Sequence, residues 1–551
     1  MDYFFGTFVL ILCAYLYSRY DKKKRYRKLR RVLHRTWGKP VKNNLIDFSL
    51  VRAYFEHKST SKNSTTIRVS DQVTDDLDLH DVFIRLNKTR SKIGTQYLYY
   101  LLRTEGSAQQ LQHFNTLRTA FSKQPELAIN CQLALSELGH SKVYYFEQLI
   151  HGAPIKPSKY HLAIQVMTVF TMALLVGSFF MPILSLGLIP ILAINTVVHY
   201  ANKSNLHYYL NGVTQLNKAL RIAKSLYKNE LISKHFGTTP CFSKLEKMKL
   251  KTEFIAFENH IDNEFLFAFW MVSEIIKILF NIEYLAFFSF TKDLSTQQQS
   301  LDDLFCFLGE IDSALAIASV LAEDTSTCMP VFTERTVAIK NLYHPLLENP
   351  VTNSLQLEGD SVLLTGSNMS GKTTFIRTVA VNALLAQRFH FAFATSYRAP
   401  FYRVLSSIRI SDNIQENTSY FLAEVQTVKT LLEAADGNRP CLFVLDELLK
   451  GTNTAERVSA AFAILKYLNQ TQHTVFAATH DLELTSLLKN YGYLPYHFKE
   501  SVAGGGLIFD YKLQEGILQK SNAIEVLKSN EYPNSILEDA RATRAQYFNQ
   551  K

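Results

Sequence analysis

Hydrophobic and polar positions divide the chain into segments of three kinds. Apolar residues at helical spacing, clearest in 214–227, predict helices across residues 73–158 and 204–330. Residues 161–202 contain no Asp, Glu, Lys or Arg. Short apolar runs, as expected for strands buried on both faces, lie at residues 361–365, 441–445 and 474–478. We therefore predict an α/β C-terminal part that follows all-α regions and an uncharged hairpin.

The uncharged segment is long enough for two membrane crossings. Leu162–Phe180 would form one crossing and Ile183–Val198 the other, with a turn at Met181-Pro182. A bilayer span needs about 20 helical residues, so the second crossing is short. Apolar residues occupy all sides of both segments, unlike those of a half-exposed soluble helix. A buried core hairpin and a re-entrant pair are the alternatives.

A further apolar segment, Tyr3–Tyr17, precedes a basic run. Nine Lys or Arg residues lie between Arg19 and Arg31, with Asp21 as the only acid. Basic residues stay on the cytoplasmic side of a membrane, whereas a cleaved signal carries them before its apolar run. We therefore expect an uncleaved anchor with its N-terminus outside, two or three crossings, and a C-terminal part in the cytoplasm.

The apolar stretch 265–290 differs from the hairpin because charges interrupt it. Glu274, Lys277 and Glu283 would each be costly at a bilayer centre. We therefore predict a helix of the soluble core here.

Composition adds limits on partners and compartment. The net charge of +10 over 551 residues is mostly that of residues 19–31, where it would attract anionic lipid head groups. Bulk charge therefore gives no support for nucleic-acid binding, although a local basic face is still compatible with it. The six cysteines are scattered and form no C-x-x-C pair, which favours a reducing compartment over a disulfide framework or a zinc site.

A loop of small residues follows the first strand-like run. Residues 366–373 read G-S-N-M-S-G-K-T, which fits the phosphate-binding pattern G-x-x-x-x-G-K-[ST] between a strand and a helix. Lys372 is expected to reach the β and γ phosphates of ATP, and the Thr373 hydroxyl to bind Mg²⁺. The predicted ATP-binding residues of this loop are Gly366, Ser367, Asn368, Met369, Ser370, Gly371, Lys372, Thr373 and Thr374.

The other two strand-like runs end in chemically useful residues. Asp446, after residues 441–445, is placed to bind Mg²⁺, and Glu447 to polarise the attacking water as the catalytic base. His480, after residues 474–478, could contact the γ-phosphate or that water. Each would be an ordinary strand-end residue if it stood alone. Together with the loop they favour a nucleotide site.

These motifs resemble the MutS family of DNA mismatch repair ATPases. Residues 365–374 are similar to its T-G-x-N-M-x-G-K-S-T loop, residues 446–453 to D-E-x-x-x-G-T-x, and residues 478–484 to A-T-H-x-x-E-L. Residues 411–424 are similar to its S-D-x-x and S-T-F-x-x-E segments, and His344-Pro345-Leu346 with Asn353 to the segment near the adenine.

The resemblance implies an ABC-type P-loop ATPase that pairs head to tail. His344 would lie near the adenine, and Ser419 of one chain would touch the γ-phosphate bound by the other. It also implies that the preceding helices form an all-α core and lever. The implied cofactors are ATP and Mg²⁺, and the implied assembly is a homodimer.

Sequence differences from the family limit which of its functions can be expected of this chain. The segment before residue 75 is too short for a mismatch-binding domain, and Phe55-Glu56 lacks the F-x-E spacing. Asn417-Thr418 replaces the usual Gly-Arg. We therefore hold two hypotheses: a membrane-anchored, DNA-binding or mismatch-repair-related ATPase, and a membrane scaffold or switch that acts on a protein or lipid partner. An ABC transporter is weaker, because the L-S-G-G-Q signature is absent.

The expected organisation has six segments. Its fold class is an α/β ABC-type ATPase domain preceded by an all-α MutS-like region, with transmembrane helices and a location in the cytoplasmic or inner membrane. The segments are an anchor and basic stop at 1–31, a juxtamembrane linker at 32–72, a first helical core at 73–158, a hairpin at 159–203, a second helical core and lever at 204–330, and the ATPase domain with its tail at 331–551.

Overall fold

The computed structural model places the chain in two compact units. It describes residues 2–40, 46–60, 67–152, 159–238, 241–246, 248, 274–323, 326–367, 369–409, 420–469, 472–503, 506–517, 524, 527–528 and 532–547. The first, which we call the helical unit, comprises residues 1–65, 87–100 and 114–323. The second, the α/β unit, comprises residues 66–86, 101–113 and 324–551.

Helices dominate the first three hundred residues. In chain order the α-helices are α1 (Asp2–Thr36), α2 (Phe48–Thr60), α3 (Asp71–Asp76), α4 (Leu79–Leu86), α5 (Lys92–Leu102), α6 (Ala108–Lys123), α7 (Pro125–Leu135), α8 (Gln148–His151), α9 (His161–Ser178), α10 (Leu188–Tyr227), α11 (Glu230–Phe236), α12 (Ile282–Thr296), α13 (Gln298–Leu321), α14 (Lys372–Phe389), α15 (Tyr420–Ala435), α16 (Thr454–Leu468), α17 (Glu483–Leu487) and α18 (Asn534–Tyr547). Short 3₁₀ helices span Ser136–Leu138, Ser141–Phe146 and Pro182–Gly187. Residues 241–246 and 274–279 are also helical.

Helix α13 lies in the core of the helical unit. Its apolar residues are buried on all sides, and its fully buried Asp312 accepts hydrogen bonds from the backbone N–H groups of Arg90 (3.0 Å) and Ser91 (2.7 Å). The Ser91 hydroxyl donates a third bond to this carboxylate, at 2.6 Å. Burial raises the pKa of Asp312, and these hydrogen bonds oppose that rise. The start of α5 is therefore fixed to α13.

The uncharged hairpin of the same unit has two helical parts. Helix α9 is followed by a 3₁₀ helix at residues 182–187, and α10 continues from Leu188 to Tyr227. Pro182 lies at the first turn of this short helix, where a missing N–H costs nothing.

Within the described part of the chain, three helical segments could cross a membrane by length and composition. They are His161–Ser178, Pro182–Ala201 and Gln298–Leu321. The first two are 11% and 17% buried, whereas the third is 83% buried. For Tyr3–Tyr17, the structure places the backbone in α1, and the side chains of 2–15 lie outside the described part.

Two sheets form the α/β unit. Its strands are β1 (Val331–Phe332), β2 (Val337–Leu342), β3 (Asn353–Leu357), β4 (Ser361–Thr365), β5 (Ser396–Ala399), β6 (Arg403–Ser407), β7 (Cys441–Asp446), β8 (Thr474–Ala478), β9 (Tyr493–Ala503) and β10 (Gly506–Glu515). A four-stranded sheet has the order β1-β5-β2-β3, and a six-stranded sheet has the order β10-β9-β4-β8-β7-β6.

The six-stranded sheet brings three strand ends together. Strands β9, β4, β8, β7 and β6 are parallel, and only β10 is antiparallel to its neighbour. All residues of β4 and β8 are buried, because parallel strands are covered on both faces. Leu364 of β4 and Asp446 of β7 both pair with Ala478 of β8. The carboxyl ends of these three strands are therefore level.

Candidate functional site

The loop predicted to bind phosphate joins β4 to α14. Gly366 has φ +148° and Gly371 has φ +105°, a backbone region that favours glycine. A Cβ added to Gly366 would lie 2.7 Å from Ser370 Oγ. The Ser370 hydroxyl donates to the carbonyl of Ser367 at 2.8 Å and closes the loop. Asn368, also predicted to contact ATP, lies outside the described residues.

Lys372, at the start of α14, folds back into this loop. Its Nζ donates to the carbonyl oxygens of Gly366 (2.7 Å) and Ser367 (2.9 Å), and the residue is only 3% exposed. The ammonium group is therefore held inside the turn by two carbonyls. In that position it could exchange those contacts for the oxygens of a phosphate, which would form stronger, charge-assisted hydrogen bonds.

A hydroxyl and a carboxylate meet beside the lysine. Thr373 Oγ1 donates to Asp446 Oδ2 at 2.6 Å, across the ends of β4 and β7. The other carboxylate oxygen, Oδ1, is buried and has no hydrogen-bond partner among the described residues. Hard oxygen ligands from a hydroxyl and a carboxylate suit Mg²⁺, which usually keeps several waters and binds substrate phosphates as well. The two residues predicted to bind the metal therefore fit that ion.

Glu447 follows Asp446 in a strained backbone conformation. Its φ is +53°, and its backbone N–H donates to the carbonyl of Ala478 at 2.9 Å. The side chain lies 2.9 Å from His480 Nε2 through Oε1, and 3.2 Å from Lys450 Nζ through Oε2. The hydrogen bond with His480 lowers the pKa of Glu447 to about 2, with help from the Lys450 charge and against the effect of burial. The carboxylate is therefore ionised at neutral pH.

His480 lies close to both this carboxylate and the lysine. Its Nε2 also lies 3.4 Å from Lys372 Nζ. We assign a proton to Nε2, which donates it to Glu447 at the shorter distance. A protonated Nε2 cannot also accept a hydrogen bond from Lys372. The two predicted catalytic residues and Lys372 therefore form one cluster at the level ends of β4, β7 and β8.

A cavity of about 480 Å³ lies next to this cluster. It is lined on one side by Gly371, Thr373 and Thr374, and exposed Met369 lies at its edge. The rest of its lining includes Tyr343, His344, Leu347, Val351, Asn353, Phe498 and Tyr511. Its size is that of a small-molecule pocket, which is typically 300–1,000 Å³.

His344 in the cavity wall is held neutral. Burial and, to a lesser extent, the charge of Arg377 lower its pKa to about 4, and Asp78 opposes the shift. The backbone N–H of Leu346 lies 3.4 Å from its Nδ1, at the long end of a hydrogen bond. An uncharged, largely buried imidazole next to apolar side chains suits a flat aromatic ligand better than an anion.

Two aromatic residues of the wall were not predicted. Phe498 of β9 and Tyr511 of β10 follow the loop by more than a hundred residues, and no motif marks them. Asn353 holds this hairpin in place: its amide donates to the carbonyl of Tyr511 (3.0 Å), and its side-chain oxygen accepts from the N–H of Leu513 (2.8 Å). The part of the C-terminal segment near Tyr511 therefore completes the pocket.

A second feature that the sequence did not indicate is an ionic link around Asp78. This carboxylate accepts from Arg377 of α14 (3.2 Å) and from Arg409 (2.6 Å). The neighbouring Asp76 is fully buried and accepts from the Ser406 hydroxyl (2.6 Å) and the N–H of Arg409 (2.7 Å). Residues 76–78 thus attach the end of β6 to the helix that carries Lys372.

The segment with the predicted signature follows Arg409. Ser419, predicted to reach across a dimer, lies outside the described residues. Of the same motif, Glu424 is almost fully buried, and its Oε1 accepts from the N–H of Leu449 at 2.5 Å. Burial raises the pKa of Glu424, and hydrogen bonds from the 449–451 backbone oppose the rise. Helix α15 is therefore attached through Glu424 to the loop that follows Glu447.

Comparison with known proteins defines the class of this unit. Residues 362–547 match the family model described as MutS domain V. The chain is 30% identical over 272 residues to the DNA mismatch repair protein MutS of Natronomonas pharaonis, which covers 47% of this chain and 31% of that protein. It is 33% identical over 254 residues to MutS of Thermus thermophilus, which covers 45% of this chain and 30% of that protein.

A eukaryotic relative matches as well. Identity to MutS protein homolog 4 of Mus musculus is 32% over 238 residues, which is 40% of this chain and 24% of that protein. The chain thus matches about a third or less of the length of these curated relatives. Over its C-terminal part, the chain is similar to proteins of the MutS family.

Proposed function

We propose that the α/β unit binds and hydrolyses ATP with Mg²⁺. The observation that carries this proposal is the convergence of Lys372, the Thr373–Asp446 pair and the Glu447–His480 pair at three level strand ends. The neighbouring cavity has the size of a small-molecule pocket and a wall of apolar, aromatic and polar side chains, as a nucleoside needs. The match to MutS domain V supports the same activity.

Each residue has a defined part in this reaction. Lys372 would bind the phosphates, and Thr373 with Asp446 would hold the magnesium ion, which offsets the charge that develops on the phosphates. Ionised Glu447 would accept a hydrogen bond from the attacking water. Its low pKa makes it a weak base, so it orients and polarises the water more than it removes a proton. His480 fixes the carboxylate toward that water.

We further propose that two chains pair through their nucleotide sites. Support comes from the family match and from Glu424, a residue of the same predicted motif as Ser419, which accepts a hydrogen bond from the loop after Glu447. Nucleotide bound between the chains would then contact Ser419 of the partner. In the proposed cycle, ATP closes the pair and hydrolysis reopens it.

We propose that α9 and the segment 182–201 lie in a membrane with the α/β unit in the cytoplasm. The exposed apolar side chains support this, since water disfavours such a large contiguous patch. The basic run between Arg19 and Arg31 supports the cytoplasmic side. Retention of the protein in membranes after an alkaline wash tests this location.

The partner of the cycle has two candidate classes. The names of the relatives favour DNA mismatch repair, and hence duplex DNA. The near-neutral charge outside residues 19–31 favours a protein or lipid partner instead. Duplex binding measured across a salt series distinguishes them, because phosphate contacts give a steep loss of affinity with salt. A lack of binding at low salt would leave the second class.

The nucleotide proposal is tested with Lys372→Ala. A charge-assisted hydrogen bond contributes about 1.5–3 kcal/mol, so the affinity for Mg²⁺-ATP should fall by about tenfold or more. Equilibrium binding by calorimetry measures it in the full-length protein. The matched control is Lys340→Ala, because Lys340 is an exposed lysine of the same unit, outside the cavity wall. Unchanged affinity in Lys372→Ala would refute the site.

A further inference from the structure

A groove of the helical unit lies between α9 and α12. It encloses about 850 Å³. Helix α9 contributes His161, Gln165, Thr168 and Val169, spaced so that they share one face of the helix. Helix α12 contributes a facing row that contains Leu285, Phe288, Ser289, Thr291, Lys292 and Ser295. Nothing in the proposed ATP cycle uses this groove.

The two ends of the groove differ in polarity. The Thr168 hydroxyl donates to the carbonyl of Phe280 at 3.4 Å, so this part of α9 lies near the start of α12. The His161 ring is 5.5 Å from that of Phe288, further along α12. The helices are therefore antiparallel. The end near Val169 and Leu285 is mainly apolar, and the end with His161, Ser289 and Lys292 is polar.

The polar end contains groups that the protein leaves unsatisfied. His161 Nδ1 is buried and has no hydrogen-bond partner among the described residues. A buried polar atom without a partner is costly, so a bound group that reached His161 Nδ1 would be favoured. Lys292 is exposed at the same end of the groove.

The apolar end is continuous with the exposed face of the hairpin. Val169 is 68% exposed and the next residue, Phe170, is 54% exposed. The exposed apolar side chains of α9 begin at Leu162, immediately after His161. In the proposed membrane location, His161 and Lys292 would therefore lie at the head-group level and Val169 among the acyl chains.

We propose that this groove binds an anionic phospholipid. The phosphate would accept hydrogen bonds from Lys292 and from His161, and the acyl chains would pack on Val169, Leu285 and Phe288. The volume is within the range of ligand pockets. The cytoplasmic leaflet supplies anionic lipid at this level. The inference rests on the proposed membrane location, and it adds a specific ligand to it.

The test uses the full-length protein in detergent, supplied with phosphatidylglycerol or with phosphatidylcholine. Native mass spectrometry measures the lipid retained. We expect preferential retention of phosphatidylglycerol, reduced about fivefold in Lys292→Ala, since a lysine near an anionic surface contributes about 1 kcal/mol. Lys292→Arg should restore retention. Lys159→Ala is the matched control, because Lys159 is exposed close to His161 and outside the groove.

The outcomes separate this inference from the membrane proposal. Equal retention of the two lipids by a protein that stays in alkaline-washed membranes would overturn the lipid site alone. Equal losses in Lys292→Ala and Lys159→Ala would also overturn it, since they would indicate general attraction to the surface. Displacement of the lipid by soluble glycerol phosphate would identify a phosphate site rather than a lipid site. Loss of the protein from washed membranes would overturn both proposals.

Discussion

The candidate nucleotide site and the uncharged hairpin differ in the polarity of the atoms that they bury and expose. At the site, Lys372 is buried against carbonyls, and Asp446 Oδ1 and Ser367 Oγ are buried without described partners. In the hairpin, apolar side chains are exposed, with Phe179 at 83% and Phe180 at 84%. Buried polar atoms without partners favour a polar ligand, and exposed apolar atoms favour an apolar surrounding. The two regions thus support the proposed nucleotide site and the proposed membrane location on opposite chemical grounds.

The burial of helix α13 can be compared with that of the hairpin helices. This helix is long and apolar enough to be a membrane span, as are His161–Ser178 and Pro182–Ala201. It is nevertheless 83% buried, because other helices of its unit cover it. Hydropathy therefore identifies candidates for a membrane, and packing separates those that the protein covers from those that it leaves exposed.

The largest expected effect is in the nucleotide site. Glu447→Gln should slow ATP turnover by about 10²–10⁴-fold, the range for loss of a positioned acid or base. Binding of Mg²⁺-ATP should persist, because Lys372 and the Thr373–Asp446 pair are unchanged. Phosphate release and equilibrium binding measure the two effects. Glu433→Gln is the control, since Glu433 is an exposed residue of α15. Parental turnover in Glu447→Gln would assign the role to another group.

The next effect contrasts the two apolar regions directly. Leu308→Ala in α13 should destabilise the protein by about 2–5 kcal/mol, because Leu308 is fully buried. Leu186→Ala should change stability by less than about 0.5 kcal/mol, because Leu186 is 64% exposed. Denaturant unfolding in detergent measures both. A large loss in Leu186→Ala would show that the protein itself covers the hairpin, and the comparison would fail.

The smallest effect is a pH dependence. Glu447 has a pKa of about 2 when folded, below its ordinary value of 4.5. Its pairing therefore stabilises the fold above pH 4.5, and this contribution is lost as the pH falls toward 2. His480→Ala removes the main cause of the low pKa, so its stability curve should approach that of the parent as the pH falls through this window. Urea unfolding at several pH values measures the difference.

The control for this pH effect is His497→Ala. His497 Nδ1 lies 2.9 Å from the carbonyl oxygen of Gly516. Its removal should leave the Glu447 contribution in place. A constant difference between parent and His480→Ala across the window would contradict the assigned pair.

Local patterns in the sequence were sufficient to predict the elements that form much of the candidate nucleotide site. The strands at 361–365, 441–446 and 474–478 and the helix from Lys372 have the predicted positions, because short apolar runs and a glycine turn depend on near neighbours. The two predicted crossings coincide with the candidate spans His161–Ser178 and Pro182–Ala201. The sequence did not indicate that residues 182–187 form a 3₁₀ helix or that α10 continues past the last uncharged residue.

Local sequence patterns identified the residues that could carry the chemistry: a glycine loop with Lys372, two strand-end acids, and His480. The folded chain was needed to learn that Phe498 and Tyr511 complete the pocket, that Asp78 pairs with both Arg377 and Arg409, and that α13 is covered while the hairpin is exposed. The two kinds of information differ in their range along the chain. Periodicity and turn geometry are set by adjacent residues, whereas burial and ion pairing depend on residues that are distant in the chain and meet only when it folds.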